Sequence, residues 1–220
     1  GHNYGPGSKQ YADAIVRADL IVGQVLDGLQ QRGLAATTNV IVVSDHGMAA
    51  TRPDRIILLD DLLPAGSFEL LNRGAVAGLA PRAGREAELD AALARPIEHA
   101  QCWKKERVPA RFRFGSHPRI PPWVCLADEG WTILDRAQLA RKKPNPGAHG
   151  YDPALPSMAA IFLAHGPDLR QGLTVDAFDN VDVYALLARL LRIAPAANDG
   201  DPATTLPMMR EDRDFTPRQW

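Results

Sequence analysis

Residues 39–48 read Asn39-Val40-Ile41-Val42-Val43-Ser44-Asp45-His46-Gly47-Met48, and this stretch decides the fold class. Val40 to Val43 form a β-branched run, whose stiff side chains suit a pleated strand. An unbroken apolar run, as opposed to an alternating one, is expected of a strand buried on both faces, as in a parallel sheet covered by helices. Upstream, Ile15, Ala18, Val22, Val25 and Leu29 recur at steps of three and four, an apolar helical stripe. Ser8 stands where an N-cap belongs and Gly33 where the helix should stop. Helix, short loop and buried strand make half of a βαβ unit, so the expected class is α/β.

Working outward, Arg55 to Asp60 and Phe68 to Leu79 are strand candidates, the second broken at Gly74. Glu86 to Arg95 predicts a short helix with Leu89 and Leu93 on one face. Residues 100–135 predict a small, irregular β-rich subregion, packed by Trp103, Trp123 and Trp131. Residues 136–150 read as a Lys/Pro/Gly-rich loop, Ser157 to Leu163 as a strand and Val181 to Ile193 as a last helix. From Pro195 onward the chain reads as a tail lying along the surface. No internal repeat is present.

The 220 residues are 45% apolar and 23% charged, an ordinary globular balance that excludes a disordered tail or a coiled coil for the bulk of the chain. A net charge of -1 gives no electrostatic footprint for a nucleic-acid polymer. No segment approaches the ~18–20 apolar residues of a membrane span. The only cysteines, Cys102 and Cys125, exclude a disulfide scaffold and a cysteine zinc cluster, and leave their own pairing open. The opening Gly1-His2-Asn3-Tyr4-Gly5-Pro6-Gly7 has no initiator Met and no signal segment, and reads as the interior of a longer domain.

Three of the six histidines stand in unusual company. Asp45-His46 directly follows the strand, where ligands gather in open α/β sheets. Carboxylate oxygen and imidazole nitrogen are ligands that suit zinc. His149, in Gly147-Ala148-His149-Gly150-Tyr151-Asp152, and His2, in Gly1-His2-Asn3-Tyr4-Gly5-Pro6, have small neighbours that let backbone approach a ligand closely. Taken singly, each has a plainer alternative: a capping Asp with a chance neighbour, or a surface His in a glycine loop. Asp152 is a candidate to accept a hydrogen bond from a ligand histidine, its alternative being a turn-forming Asp-Pro. His99, His117 and His165 read as structural or solvent-facing, and Lys104-Lys105 and Arg141-Lys142-Lys143 as solvated faces.

The order of these motifs carries more than any one of them. Gly-His-x-x-Gly-Pro, a helix, a strand ending Ser44-Asp45-His46-Gly47-Met48, and later His149-Gly150-Tyr151-Asp152 closely resemble the nucleotide pyrophosphatase/phosphodiesterase family of the alkaline phosphatase superfamily. Pro53-Asp54-Arg55, Leu71-Asn72-Arg73-Gly74, Phe114-Gly115-Ser116, Asp128-Glu129-Gly130-Trp131, Gly166-Pro167 and Asn198-Asp199-Gly200 extend the resemblance over nearly the whole chain. It implies an alkaline phosphatase-like, mixed but mostly parallel sheet flanked by helices, with residues 1–220 forming the C-terminal part of one catalytic domain. It also implies two Zn2+ ions, one held by His2 and His149, the other by Asp45 and His46. The remaining Asp ligands and the nucleophilic threonine are expected upstream of Gly1, in a missing N-terminal half of the same domain. No threonine of this chain matches the nucleophile's motif.

The resemblance implies hydrolysis of phosphodiester or pyrophosphate bonds in a small-molecule or nucleotide substrate, through a phospho-threonine intermediate, with this chain inactive by itself. The alternatives are a related two-metal phosphomonoesterase, phosphonate hydrolase or phosphoglycerate mutase, and a non-catalytic metal-binding domain. A periplasmic or secreted location is implied as well, which would permit a Cys102–Cys125 bridge.

Overall fold

A computed structural model of the chain describes residues 1–217. In chain order these are α1 (Lys9–Gln31), β1 (Val40–Val43), β2 (Ala49–Ala50), β3 (Ile56–Leu58), α2 (Leu59–Leu62), β4 (Phe68–Asn72), β5 (Val76–Pro81) and α3 (Glu86–Leu93). There follow β6 (Ala100–Lys104), β7 (Trp123–Ala127), β8 (Thr132–Leu134), α4 (Arg136–Arg141), β9 (Gly147–Ala148), β10 (Phe162–His165), α5 (Asp182–Leu190) and α6 (Pro202–Thr205). Two compact units result, one of residues 1–15 and 46–159, the other, within the described residues, of 16–45 and 160–217.

Helix α1 begins and ends where its capping residues direct. Ser8 Oγ accepts from Tyr11 N at 3.1 Å, the N-cap bond that satisfies an otherwise unpaired helix donor. At the other end, Gly33 at φ 70 lets Gly33 N donate to Gln30 O and Leu34 N to Leu29 O, the crossed pair of a Schellman stop. Its first turns belong to the first unit and the rest to the second.

The first unit is built on the antiparallel sheet β4-β5-β7-β6. Its core holds Leu59, Leu79, Leu89, Cys125 and Ile133, each nearly inaccessible. Helix α3 buries Leu89 and Leu93, the two residues spaced for one face. Asp90 on the same helix accepts from Trp123 Nε1 at 2.8 Å and Lys104 Nζ at 2.5 Å, which ties α3 to β6 and β7. Beside this sheet, β3 pairs in parallel with β8 and β2 pairs antiparallel with β9. The sheet therefore takes in β4 and β5, and is larger than the subregion expected at 100–135. Cys102 and Cys125 face each other across β6 and β7 and form a disulfide.

The second unit pairs β1 antiparallel with β10, from Val40↔His165 to Val43↔Phe162. Leu169, Leu186, Met208 and Met209 form its core, with Ile41 and Phe162 packed against them. Two expectations change here. The β-branched run does form a strand, but a half-buried one, with Val43 46% exposed, because within its unit only β10 pairs with it among the described strands. The parallel majority expected of the sheet is absent among the described strands, where β3–β8 is the parallel pair and the rest are antiparallel. The α/β architecture with mixed pairing stands. The strand expected at 157–163 begins later, at Phe162, after a 3-10 turn at Pro156–Met158.

Much of the apolar surface of α1 lies uncovered. Leu20 and Ile21 are each 60% exposed, and Ile15, Val16 and Val25 also exceed half, while Val22 and Leu29 of the expected stripe are partly covered. Exposed apolar side chains clustered on one helix mark a contact face.

Candidate functional site

The backbone is pinned within its own unit on each side of His46. Before it, in the second unit, Ser44 exchanges bonds with Ile161: Ser44 N donates to Ile161 O and Ile161 N to Ser44 Oγ. Asn180 Nδ2 donates to Asp45 O at 3.1 Å. After it, in the first unit, Gly47 N donates to Met158 O at 3.0 Å. A Cβ at Gly47 would lie 2.1 Å from Ser157 O, so only glycine lets these two backbones pass. His46 Nδ1 lies 2.8 Å from Gly47 O. A carbonyl oxygen can only accept, so Nδ1 carries the proton and Nε2 presents the lone pair.

His2 and His149 are joined through their loops. His2 Nδ1 donates to Gly147 O at 3.0 Å, and Gly147 N donates to His2 O. The same argument places the lone pair of His2 on Nε2. A Cβ at Gly147 would meet Gly1 O at 2.6 Å. The pairing of β9 with β2 then sets Ala148 opposite Ala49, three residues after His46. Beyond His149, Tyr151 is buried and donates its hydroxyl to Trp131 O at 3.0 Å. That burial pushes its phenol up to about 12, so it stays a neutral anchor at any working pH.

Three of the four expected ligands therefore meet in the first unit. The rings of His46 and His149 stack at 3.6 Å, and those of His2 and His149 stand 5.1 Å apart, tilted by 52°. The fourth, Asp45, precedes His46 in the chain and is the last residue of that segment of the second unit. Asp152 departs from expectation. Its carboxylate takes a two-pronged pair from Arg111, at 2.8 and 2.5 Å, and accepts from Ala154 N. Arg111 holds its carboxyl below the ordinary carboxylate range. Asp152 thus fastens its own turn and does not serve His149. His99, expected to be structural or solvent-facing, stacks on Trp131 at 3.8 Å and pairs with Asp128.

One feature of the site is not legible as such in the sequence. Beside His2 and His149 lies a cavity of about 660 Å³, also lined by Arg73, Arg141, Lys142 and Lys143. The three basic residues before His149 read as a solvated face. Their clustering within eight residues of a candidate ligand is the signal that could have found it.

The imidazoles of His2 and His46, each with its tautomer fixed by a backbone carbonyl, suit zinc in chemistry. Among the described residues, no three His, Cys, Asp or Glu side chains form a group that would hold a metal ion.

Residues 1–152 match the family model described as type I phosphodiesterase / nucleotide pyrophosphatase. The chain belongs to this family. Human ectonucleotide pyrophosphatase/phosphodiesterase family member 5 is 36% identical over 91% of the chain and 41% of its own length. Human bis(5'-adenosyl)-triphosphatase ENPP4 is 34% identical over 91% of the chain and 43% of its own length. The solved structure of human ectonucleotide pyrophosphatase/phosphodiesterase 5 superposes with a TM-score of 0.89 at 34% identity, covering 96% of this chain and 56% of that one. The murine counterpart has been solved as an inactive variant in complex with AMP. The chain spans less than half the length of these two curated relatives, in their C-terminal portion. Its fold is accordingly the alkaline phosphatase-like α/β fold of the phosphodiesterase family.

Proposed function

We propose that the chain supplies metal ligands to a zinc-dependent phosphodiesterase/nucleotide pyrophosphatase, with His2 and His149 serving one ion and His46 and Asp45 the other. The observation that carries this reading is the meeting of His2, His46 and His149, from three separate loops, within ring distances of 5.1 and 3.6 Å. Two ions drawing two ligands each from this chain would need no described group of three. Bound there, zinc would supply Lewis-acid stabilisation of the phosphoryl oxygens. The chain's own contribution is orientation. The carbonyls of Gly47 and Gly147 hold two imidazoles with Nε2 forward, and Tyr151 pins the turn that follows His149. Such fixed geometry is what makes a site effective, since ligands that must reorganise lose much of their advantage.

The nucleophile in this reading is a threonine outside the 220 residues, and the apolar face of α1 is where the rest of the family domain packs. The names of the two relatives, a nucleotide pyrophosphatase/phosphodiesterase and a bis(5'-adenosyl)-triphosphatase, support a nucleotide-type substrate. The "ecto" designation of family member 5 and the Cys102–Cys125 disulfide support a location outside the reducing cytosol. No helix of the described residues is long and apolar enough to cross a membrane.

Two measurements test this. Zinc titration of the 220-residue chain by calorimetry should show binding that weakens about tenfold or more in His149→Ala, the scale on which even indirect ligand support matters. Unchanged affinity would remove His149 from the site. A nitrophenyl nucleotide ester should be turned over by a chain extended to the family's full length, with zinc, and not by the 220 residues alone. Robust zinc-dependent turnover by the short chain would overturn the placement of the nucleophile.

A further inference from the structure

The loop that joins β6 to β7 has a charge that the histidine site does not require. Residues 104–119 carry Lys104, Lys105, Arg107, Arg111, Arg113 and Arg119 against Glu106 alone. Six cations against one anion, with His117 neutral, give this stretch a net charge of +5 in a chain whose total is -1. The whole-chain figure averages the concentration away. Lys104 is paired with Asp90 and Arg111 with Asp152. Lys105, Arg107 and Arg119 form no ion pair among the described residues. Uncompensated cations on one loop are a local source of field that draws an anionic partner.

The loop is also held by its own backbone. Its neck is closed by Lys105 N, which donates to Pro122 O at 3.0 Å, and the Cys102–Cys125 disulfide lies next to that bond on the paired strands. Lys105, Arg107 and Arg119 all stand within three residues of the closing bond. Beyond the neck, Phe112 N donates to Pro109 O, Arg113 N to Ala110 O and Ile120 N to His117 O. Arg111 lies 4.0 Å over the Phe112 ring while it grips Asp152. Phe114 follows, 41% exposed. With Trp103, Val108 and Phe112 it lines a hollow of about 160 Å³. Groups on anchored backbone lose less entropy on binding than groups on a loose loop.

We propose that residues 104–119 form a docking surface for an anionic lipid membrane. Charge complementarity selects the sign of the partner, since each basic residue near an anionic bilayer adds to the attraction. The aromatic residues select lipid among anions. Phe114 and the hollow behind it gain by leaving water for the boundary between headgroups and acyl chains. A sulfated polysaccharide offers the same charge and no apolar phase. The contact is peripheral, with the loop resting in the headgroup layer and nothing of it spanning the bilayer. It requires no metal and no part of the histidine site.

The test is co-sedimentation of the 220-residue chain with vesicles of phosphatidylcholine alone and of phosphatidylcholine mixed with phosphatidylglycerol. The mixed vesicles should bind about tenfold more tightly or better, and the excess should shrink as salt rises. The exposed face of α1 meets both kinds of vesicle alike and does not alter that ratio. Lys105→Gln/Arg107→Gln/Arg119→Gln should lose the excess. Arg17→Gln/Arg32→Gln/Arg170→Gln removes as many charges from exposed positions of the second unit and should keep it. Phe114→Ala should bind the mixed vesicles about tenfold more weakly, with its salt dependence intact and the parent's urea midpoint. Equal binding to the two kinds of vesicle would overturn the proposal, as would an excess that survives the loop variant or is lost equally in the second-unit control. Phe114→Ala binding as the parent does, with heparin displacing both, would also overturn it, because that result describes a general polyanion site.

Discussion

Gly47→Ala is expected to destabilise the first unit by about 1–3 kcal/mol, the range for forcing an added methyl into a closed space, and to weaken zinc binding along with it. The reason is steric. An ideal Cβ on Gly47 falls 2.1 Å from Ser157 O and 2.8 Å from Ala159 O, and both atoms are backbone. No side-chain rotation relieves such overlaps, so one of the two segments must move. If residues 157–159 move, the Gly47 N to Met158 O bond is lost. If residues 46–48 move, His46 leaves its 3.6 Å stack on His149 and its bond to Gly47 O. The second outcome couples stability to the site. Urea unfolding followed by tryptophan fluorescence reads the first effect, since Trp103, Trp123 and Trp131 all lie in this unit. Zinc calorimetry reads the second. A Gly47→Ala chain with the parent's urea midpoint and zinc affinity would show that the passing backbones do not position His46.

The same residues show why parts of this molecule are legible in sequence and others are not. The boundaries of α1 follow from local chemistry: Ser8 caps, Gly33 adopts a positive φ, and the stripe between them has helical spacing. Helix α3 follows for the same reason, through Leu89 and Leu93. Helix α4 reads as loop in the sequence although Asp135 stands as its N-cap. The Lys/Pro/Gly content of the stretch after it outweighs that single signal. The β-branched run of β1 announces a strand, but burial on both faces depends on what packs there, and four valines and isoleucines cannot specify their neighbours. Asp152 is misread for the opposite reason. Its partner Arg111 lies 41 residues away, and no local pattern encodes a pairing at that separation. The three histidines become readable as a set only through their order among family motifs. Spacing alone brings no two of them within ligand reach, whereas the β2–β9 pairing and the His2–Gly147 bonds do.

Breaking the Cys102–Cys125 disulfide is expected to destabilise the first unit to a similar degree, by a different route. The two cysteines are register partners on β6 and β7, so the bond adds little to a pairing already made by backbone. Its effect is on the unfolded chain, where it closes a loop spanning 23 residues. Loop-closure entropy for that length corresponds to about 3 kcal/mol, or roughly 6–12 °C in thermal midpoint for a chain of this size. The closed segment includes Arg111, which grips Asp152 three residues after His149, and Phe112, which packs near Trp103. Greater freedom there loosens one of the supports of the His149 turn. Two measurements separate the bond from the residues that make it. Reduction of the unaltered chain changes no side-chain volume, whereas Cys102→Ala/Cys125→Ala also removes two sulfurs, one of them fully buried. Both should lower the urea midpoint, the double variant somewhat more because of the added cavity. Equal midpoints for the oxidised and reduced chains would show that the β6–β7 pairing persists in the unfolded ensemble and leaves the disulfide nothing to constrain.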